Sequence, residues 1–354
     1  MELPTDSFYS SVPGQSIHLL SCVIRSGQLS AGFRIAIMSS IEEILQRVKP
    51  RQLWTGVALL LLAAFYSPTF VLSLAPVYGG APANIFHAYG EVLAAAAGWF
   101  SKEWVERLSA RRAVYLLPVL AIWTPTLEYF LLQQSSTYGN PTGPVITGVL
   151  SYYPLVFFSV ACGGKLVQDG LNLSQQGDIA AEHVPLLSSY VIYSIGGKII
   201  DTFISSCLGA ASIFSTASLQ FLTAALYAAV VPSKLLLLAV PSIIFSLTSN
   251  VHLPLGNSIE AVNNVLRPEG YTMLARQDST TGYISVLENV EDGFRVMRCD
   301  HSLLGGQWTK MPRNYAPEVH DPIYAVFTML EAVRLIETDH GERREDEGRK
   351  ALVM

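Results

Sequence analysis

The sequence predicts a membrane all-α helical bundle of about seven transmembrane helices, followed by a small, incomplete α+β domain. Of the 354 residues, 50% are hydrophobic and only 14% are charged, which is unusual for a soluble domain. The charges are also uneven, because residues 1–250 hold 12 basic and 12 acidic residues whereas residues 251–354 hold 11 and 16. The net charge of −5 therefore lies in the second region, and no basic surface for nucleic acid is expected.

The first region begins with a predicted cytosolic lead-in at residues 1–52. It lacks the basic start, apolar centre and small-residue cleavage site of a signal peptide. Four cysteines are scattered without the short paired spacing of metal sites or disulfide scaffolds. They are Cys22, Cys162, Cys207 and Cys299. No metal site is expected.

Residues 53–250 carry long charge-free intervals, and a helix needs about 20 mostly apolar residues to cross a bilayer. These intervals are apolar on all sides, unlike a helix of a soluble protein, which has one apolar stripe. Glycine, proline and asparagine divide them into candidate helices. The seven predicted spans are 54–75, 83–101, 113–132, 144–165, 184–208, 212–231 and 234–250.

Basic residues in the loops predict the orientation by the positive-inside rule. Five Lys or Arg residues precede the first span and four more lie between the second and third, so the amino end is predicted to face the cytosol. Seven spans then place the tail on the opposite side, unless segment 83–101 or 234–250 enters the bilayer without crossing. The prediction is an integral, multi-pass membrane protein with the lipid bilayer as its partner. A homo-oligomer is left open.

Ionisable residues inside apolar helices are functional candidates, because each costs several kcal/mol in a bilayer. The candidates are His87, Glu91, Glu128, Lys198 and Asp201. One hypothesis is a proton-coupled or cation-coupled pathway. The other is an intrahelical ion pair between Lys198 and Asp201, which are three residues apart, with the carboxylates near helix ends. The second is favoured, because no inverted repeat is visible.

The tail changes character after a linker at 251–268. The segments 271–277, 282–289 and 293–300 alternate apolar and polar residues between Gly-containing turns, which predicts an antiparallel β-meander. Residues 301–308 suggest a fourth strand. The spacing of apolar residues then predicts an amphipathic helix at 321–338, and "ALVM" at 351–354 predicts the start of a buried parallel strand.

This tail carries a resemblance to a known family. The run "ARQDSTTGYISVLENVEDGFRVMRCDHSLLGGQW", then "HDPIYAVFTMLEAVRL" and "KALVM", resembles the spermidine/spermine synthases, the polyamine aminopropyltransferases. It is most similar to multi-pass membrane proteins that carry such a domain. The resemblance covers roughly residues 269–354. It implies a β-domain before a Rossmann-like domain, and aminopropyl transfer from decarboxylated S-adenosylmethionine, or methyl transfer from S-adenosylmethionine in related domains.

Carried over residue by residue, the resemblance implies four substrate-binding candidates. Asp300 and Gln307 match the family's Asp and the Gln that follows, although the spacing is longer here. Asp321 and Tyr324 in "HDPIY" match an acidic residue and a Tyr at a helix start. Ala325 departs from the family, which has His or Gln there. Asp321 also suits a helix N-cap, and Tyr324 also suits packing against the sheet.

The family continues after "ALV" into a Gly-rich loop for the nucleoside and a catalytic Asp, and neither follows Met354 in this sequence. The chain as given is therefore expected to bind no cofactor and to be inactive, with no catalytic residue of its own. Three interpretations stay open. They are a membrane-anchored aminopropyltransferase or methyltransferase whose catalytic half is missing, a non-enzymatic scaffold or pseudoenzyme, and a small-molecule transporter.

Overall fold

A computed structural model describes residues 48–109, 112–175 and 177–310. These residues form ten α-helices and four strands. The long helices are α1 (Pro50–Tyr78), α2 (Gly80–Ser109), α3 (Leu117–Gln133), α6 (Tyr153–Leu171), α7 (Asp178–Cys207) and α8 (Thr216–Val230). The short ones are α4 (Ser135–Tyr138), α5 (Thr142–Leu150), α9 (Val240–Thr248) and α10 (Ser258–Leu266). Short 3₁₀ turns at Ala113–Leu116 and Lys234–Ala239 lead into α3 and α9.

Helix α1 is the centre of the helical bundle. It packs against α2, α6, α7 and α8, and its buried residues lie on more than one side, as expected for a helix without a polar face. Helix α6 approaches both α1 and α2 closely, because glycines stand at the contacts. A Cβ added at Gly56 would lie 2.7 Å from the carbonyl oxygen of Gly163, and one at Gly98 would lie 2.4 Å from that of Phe157. The bundle is therefore held by backbone contacts that larger residues would prevent.

The four strands form an antiparallel sheet in the order β1-β2-β3-β4. They are β1 (Tyr271–Ser279), β2 (Gly282–Asn289), β3 (Phe294–Cys299) and β4 (Ser302–Trp308). The pairing confirms the predicted meander and its fourth strand. Met273, Leu287 and Val296 form its small core, and Val262 and Leu266 of α10 pack against it. One face of the sheet is thus covered by a helix.

The sheet is also joined to the bundle. Gln277 Nε2 donates a hydrogen bond of 2.8 Å to the carbonyl oxygen of Gly209, and Asp278 Oδ2 accepts one of 2.9 Å from the backbone N–H of Thr216. Thr216 is the first residue of α8, whose own first turn has no acidic residue. A carboxylate at a helix amino end is favourable because the helix dipole and the unpaired N–H groups attract it. Strand β1 therefore stabilises the start of a bundle helix.

Asn263 fastens α10 to the edge strand β1. It is 5% exposed, its Nδ2 donates to the carbonyl oxygen of Met273 at 3.1 Å, and its Oδ1 accepts from the N–H of Met273 at 2.7 Å. The pairing register of β1 shifts just after Met273. One side chain thus satisfies both backbone groups of a residue beside an irregularity in the strand.

Replacement of this residue, Asn263→Ala, should lower the stability of the sheet by about 2–3 kcal/mol, because it leaves two buried backbone groups without partners. Hydrogen exchange of peptides covering 271–289 should become faster by a corresponding factor. The matched control is Asn264→Ala, since Asn264 is exposed in the same helix and should change stability by less than about 0.5 kcal/mol. Equal exchange in the two variants would contradict the assigned role.

The prediction of about seven transmembrane helices is wrong. Among the described residues, two helices are long and apolar enough to cross a membrane, Pro50–Tyr78 and Ala113–Gln133. The pair Thr142–Leu150 and Tyr153–Leu171 is bent by 47° and would add a third if it were one span. Segments 212–231 and 234–250 correspond to helices of 10–17 residues, too short for about 20 residues of bilayer core. An integral, multi-pass localisation is therefore not supported.

Segments 83–101 and 184–208 fall on α2 and α7, which are long but do not meet the same test of length and composition. Both carry ionisable residues along their length, including Glu103 and Glu106 in α2 and Asp178 and Glu182 in α7. Both also expose large apolar side chains. Examples are Tyr89, Val92, Leu93, Phe100, Tyr190 and Ile199.

Several predictions fall outside the described residues. They concern most of the lead-in at 1–52, the helix at 321–338 with Asp321 and Tyr324, and the strand at 351–354. The domain boundaries stay predictions. So do the bilayer and a second copy of the chain as partners, and the lack of nucleic-acid binding.

Candidate functional site

A pocket of about 580 Å³ lies between helices α1, α2 and α7 and the turns of the sheet. We call it the His87 pocket. Its volume is within the range of small-molecule sites in proteins. Five of the residues singled out in the sequence line it together. They are His87, Glu91, Lys198, Asp201 and Asp300.

His87 and Glu91 lie one turn apart on α2 and face each other, with His87 Nε2 3.4 Å from Glu91 Oε2. The same ring nitrogen is 2.8 Å from the hydroxyl of Ser67 on α1. His87 as a whole is only 5% exposed. The other ring nitrogen, Nδ1, is buried and has no hydrogen-bond partner among the described residues. A buried polar nitrogen without a partner is costly in a folded protein.

Two tyrosines hold the carboxylate of Glu91 in place. Tyr193 of α7 donates a short hydrogen bond to Glu91 Oε1, and the hydroxyl of Tyr152 lies 3.1 Å from the same oxygen. Burial alone would raise the pKa of Glu91, but the hydrogen bond and charge of His87, with Tyr193 and Ser67, lower it below its ordinary value. Glu91 is therefore a carboxylate at neutral pH.

The ring of His87 is fixed by aromatic neighbours. Its centroid is 5.4 Å from that of Phe70, 5.6 Å from that of Tyr152 and 6.3 Å from that of Tyr153. Tyr153 in turn occupies a slot left by Gly90, where an added Cβ would lie 2.2 Å from its ring. The imidazole is thus held in one orientation by packing.

The remaining charged residues lie toward the rim. Lys198 and Asp201 are both exposed, and the structure shows no ion pair between them, so the predicted intrahelical pair does not form. Asp300 occupies the β3–β4 turn with a positive φ of 50°, and its Oδ1 accepts a hydrogen bond of 2.6 Å from the N–H of Tyr283. Its role in shaping this turn is clear from the contact. Its role toward a substrate stays a prediction.

Glu128 lies in a second pocket, of about 440 Å³, between α1, α3, α8 and strands β1 and β2. We call it the Glu128 pocket. Glu128 is 3% exposed, and its Oε2 is 2.7 Å from Ser73 Oγ and 2.8 Å from Gln220 Nε2. Burial raises its pKa to about 8, although both hydrogen bonds act in the opposite direction. Glu128 is thus mostly protonated at pH 7.

The raised pKa makes the stability of the fold depend on pH. Between about pH 4.5 and 8 the folded chain holds a proton on Glu128 that the unfolded chain has lost, so the free energy of unfolding falls as the pH rises. The slope is at most about 1.4 kcal/mol per pH unit. Glu128→Gln keeps the shape of the side chain but cannot ionise. The free energy of unfolding of the variant, relative to that of the wild type, should therefore rise between pH 5 and 8. Denaturant unfolding across this range tests it. Free energies of unfolding that change with pH in the same way in both proteins would contradict the raised pKa of Glu128.

Sequence reasoning missed the uncharged members of both pockets. Tyr193, Tyr152 and Ser67 complete the His87 pocket, and Ser73 and Gln220 complete the Glu128 pocket. One usable signal was the spacing of Ser194, Gly197, Lys198, Asp201 and Ser205, which share one face of α7 and line the His87 pocket. Gln307 was predicted for substrate binding, but it is exposed on β4 opposite Arg295 and lines neither pocket.

The chain is similar to a protein from Emericella nidulans. It is 59% identical over 318 residues, 90% of this chain, to an N-terminal histidine N-methyltransferase from Emericella nidulans, and the similarity spans 57% of that protein's length. No family profile matches the chain. No solved structure matches it either.

This similarity corrects the family assignment. The spermidine/spermine synthase resemblance implied a membrane-anchored enzyme of polyamine metabolism, and that interpretation is wrong, because the relative methylates the nitrogen of an N-terminal histidine. The relative is named as an enzyme, and this gives no support to the scaffold or transporter interpretation. Of the two cofactors that the resemblance named, S-adenosylmethionine is the one consistent with a methyltransferase relative.

Proposed function

We propose that this protein acts in the methylation of a nitrogen of an N-terminal histidine, with S-adenosylmethionine as the methyl donor. The observation that carries the proposal is 59% identity over 90% of the chain to a protein with that activity. The chain spans 57% of the relative's length, so the whole activity is part of the proposal. The His87 pocket supports it as a site of small-molecule size whose lining includes charged side chains.

S-adenosylmethionine supplies a methyl group on a positively charged sulfur, and the nitrogen that receives it must be unprotonated. Nucleoside cofactors are commonly held where a parallel strand runs through a glycine-rich turn into a helix. The four described strands are all antiparallel to their neighbours. The described residues therefore do not provide this kind of binding site for the cofactor.

The test is a methylation assay on purified protein. It uses S-adenosylmethionine with a labelled methyl group and a synthetic peptide that begins with histidine. The label is expected on the first residue of this peptide, and fragmentation by mass spectrometry locates the nitrogen that carries it. A matched peptide that begins with alanine should stay unlabelled. No transfer to the histidine peptide, or equal transfer to both peptides, would overturn the proposal.

A further inference from the structure

We draw no further inference here: the strongest candidate, the surface of exposed apolar side chains on helices α2 and α7, which includes Tyr89, Phe100 and Ile199, carries none because nothing in the part of the chain that the structure describes shows what covers it.

Discussion

Gly98→Ala is expected to destabilise the bundle by about 3 kcal/mol, although alanine is the better helix former. The added Cβ would lie 2.4 Å from the carbonyl oxygen of Phe157, and a backbone atom cannot turn aside as a side chain does. Helices α2 and α6 would have to separate, and close-packed interiors tolerate such overpacking poorly. The measurement is the free energy of unfolding in denaturant.

The control for this prediction is a glycine of another long helix. A Cβ added at Gly197 of α7 would meet nothing within 4 Å. Gly197→Ala should therefore raise the free energy of unfolding by about 0.5–1 kcal/mol, because alanine has the higher helix propensity. The same substitution thus has opposite signs at the two positions. A stabilising Gly98→Ala would show that α2 and α6 are not in contact at this point.

Phe70→Ala should lower the free energy of unfolding by about 3–5 kcal/mol, because Phe70 is 0% exposed and the loss of its ring leaves a cavity in the core. Its ring lies 4.9 Å from that of Tyr152 and 5.4 Å from that of His87, centroid to centroid. The substitution should therefore also loosen the imidazole of His87. Thermal unfolding measures the loss of stability, and the NMR line widths of the His87 ring measure its mobility.

Phe100→Ala is the matched comparison, since Phe100 is 85% exposed on α2 and its loss should change stability little. Similar losses in the two variants would mean that the bundle is not packed around Phe70. A Phe70→Ala variant whose His87 ring signals match those of the wild type would contradict the contact between the two rings.

Local sequence pattern predicted the elements better than it predicted their surroundings. The strands were predicted within one or two residues, because alternation and Gly-containing turns are local signals. The seven apolar segments do fall on helices, but the number of spans was wrong. Apolarity on all sides was interpreted as contact with lipid, and α1 instead packs against four other helices. Burial by neighbouring helices and burial in a bilayer require the same kind of residues.

The candidate site could be predicted in part. Ionisable residues in apolar surroundings were informative, and His87 and Glu91 lie close because they are four residues apart. Their place in one pocket with Asp201 and Asp300 depends on tertiary structure that no local pattern encodes. The tyrosines and serines that complete the site were overlooked because uncharged polar residues are common in helices. The family resemblance was wrong, because it rested on an ordered series of strands and a helix, and such an order does not determine the chemistry of a protein.

The hydrogen bond from Thr216 to Asp278 has a practical consequence for anyone who divides the protein. A fragment that stops within residues 251–268 keeps every bundle helix but loses the carboxylate that serves the first turn of α8. Its exposed amide would then need water as a substitute acceptor, and the opening residues of that helix should fray. The strands at the carboxyl side are therefore best retained when the helical portion is expressed.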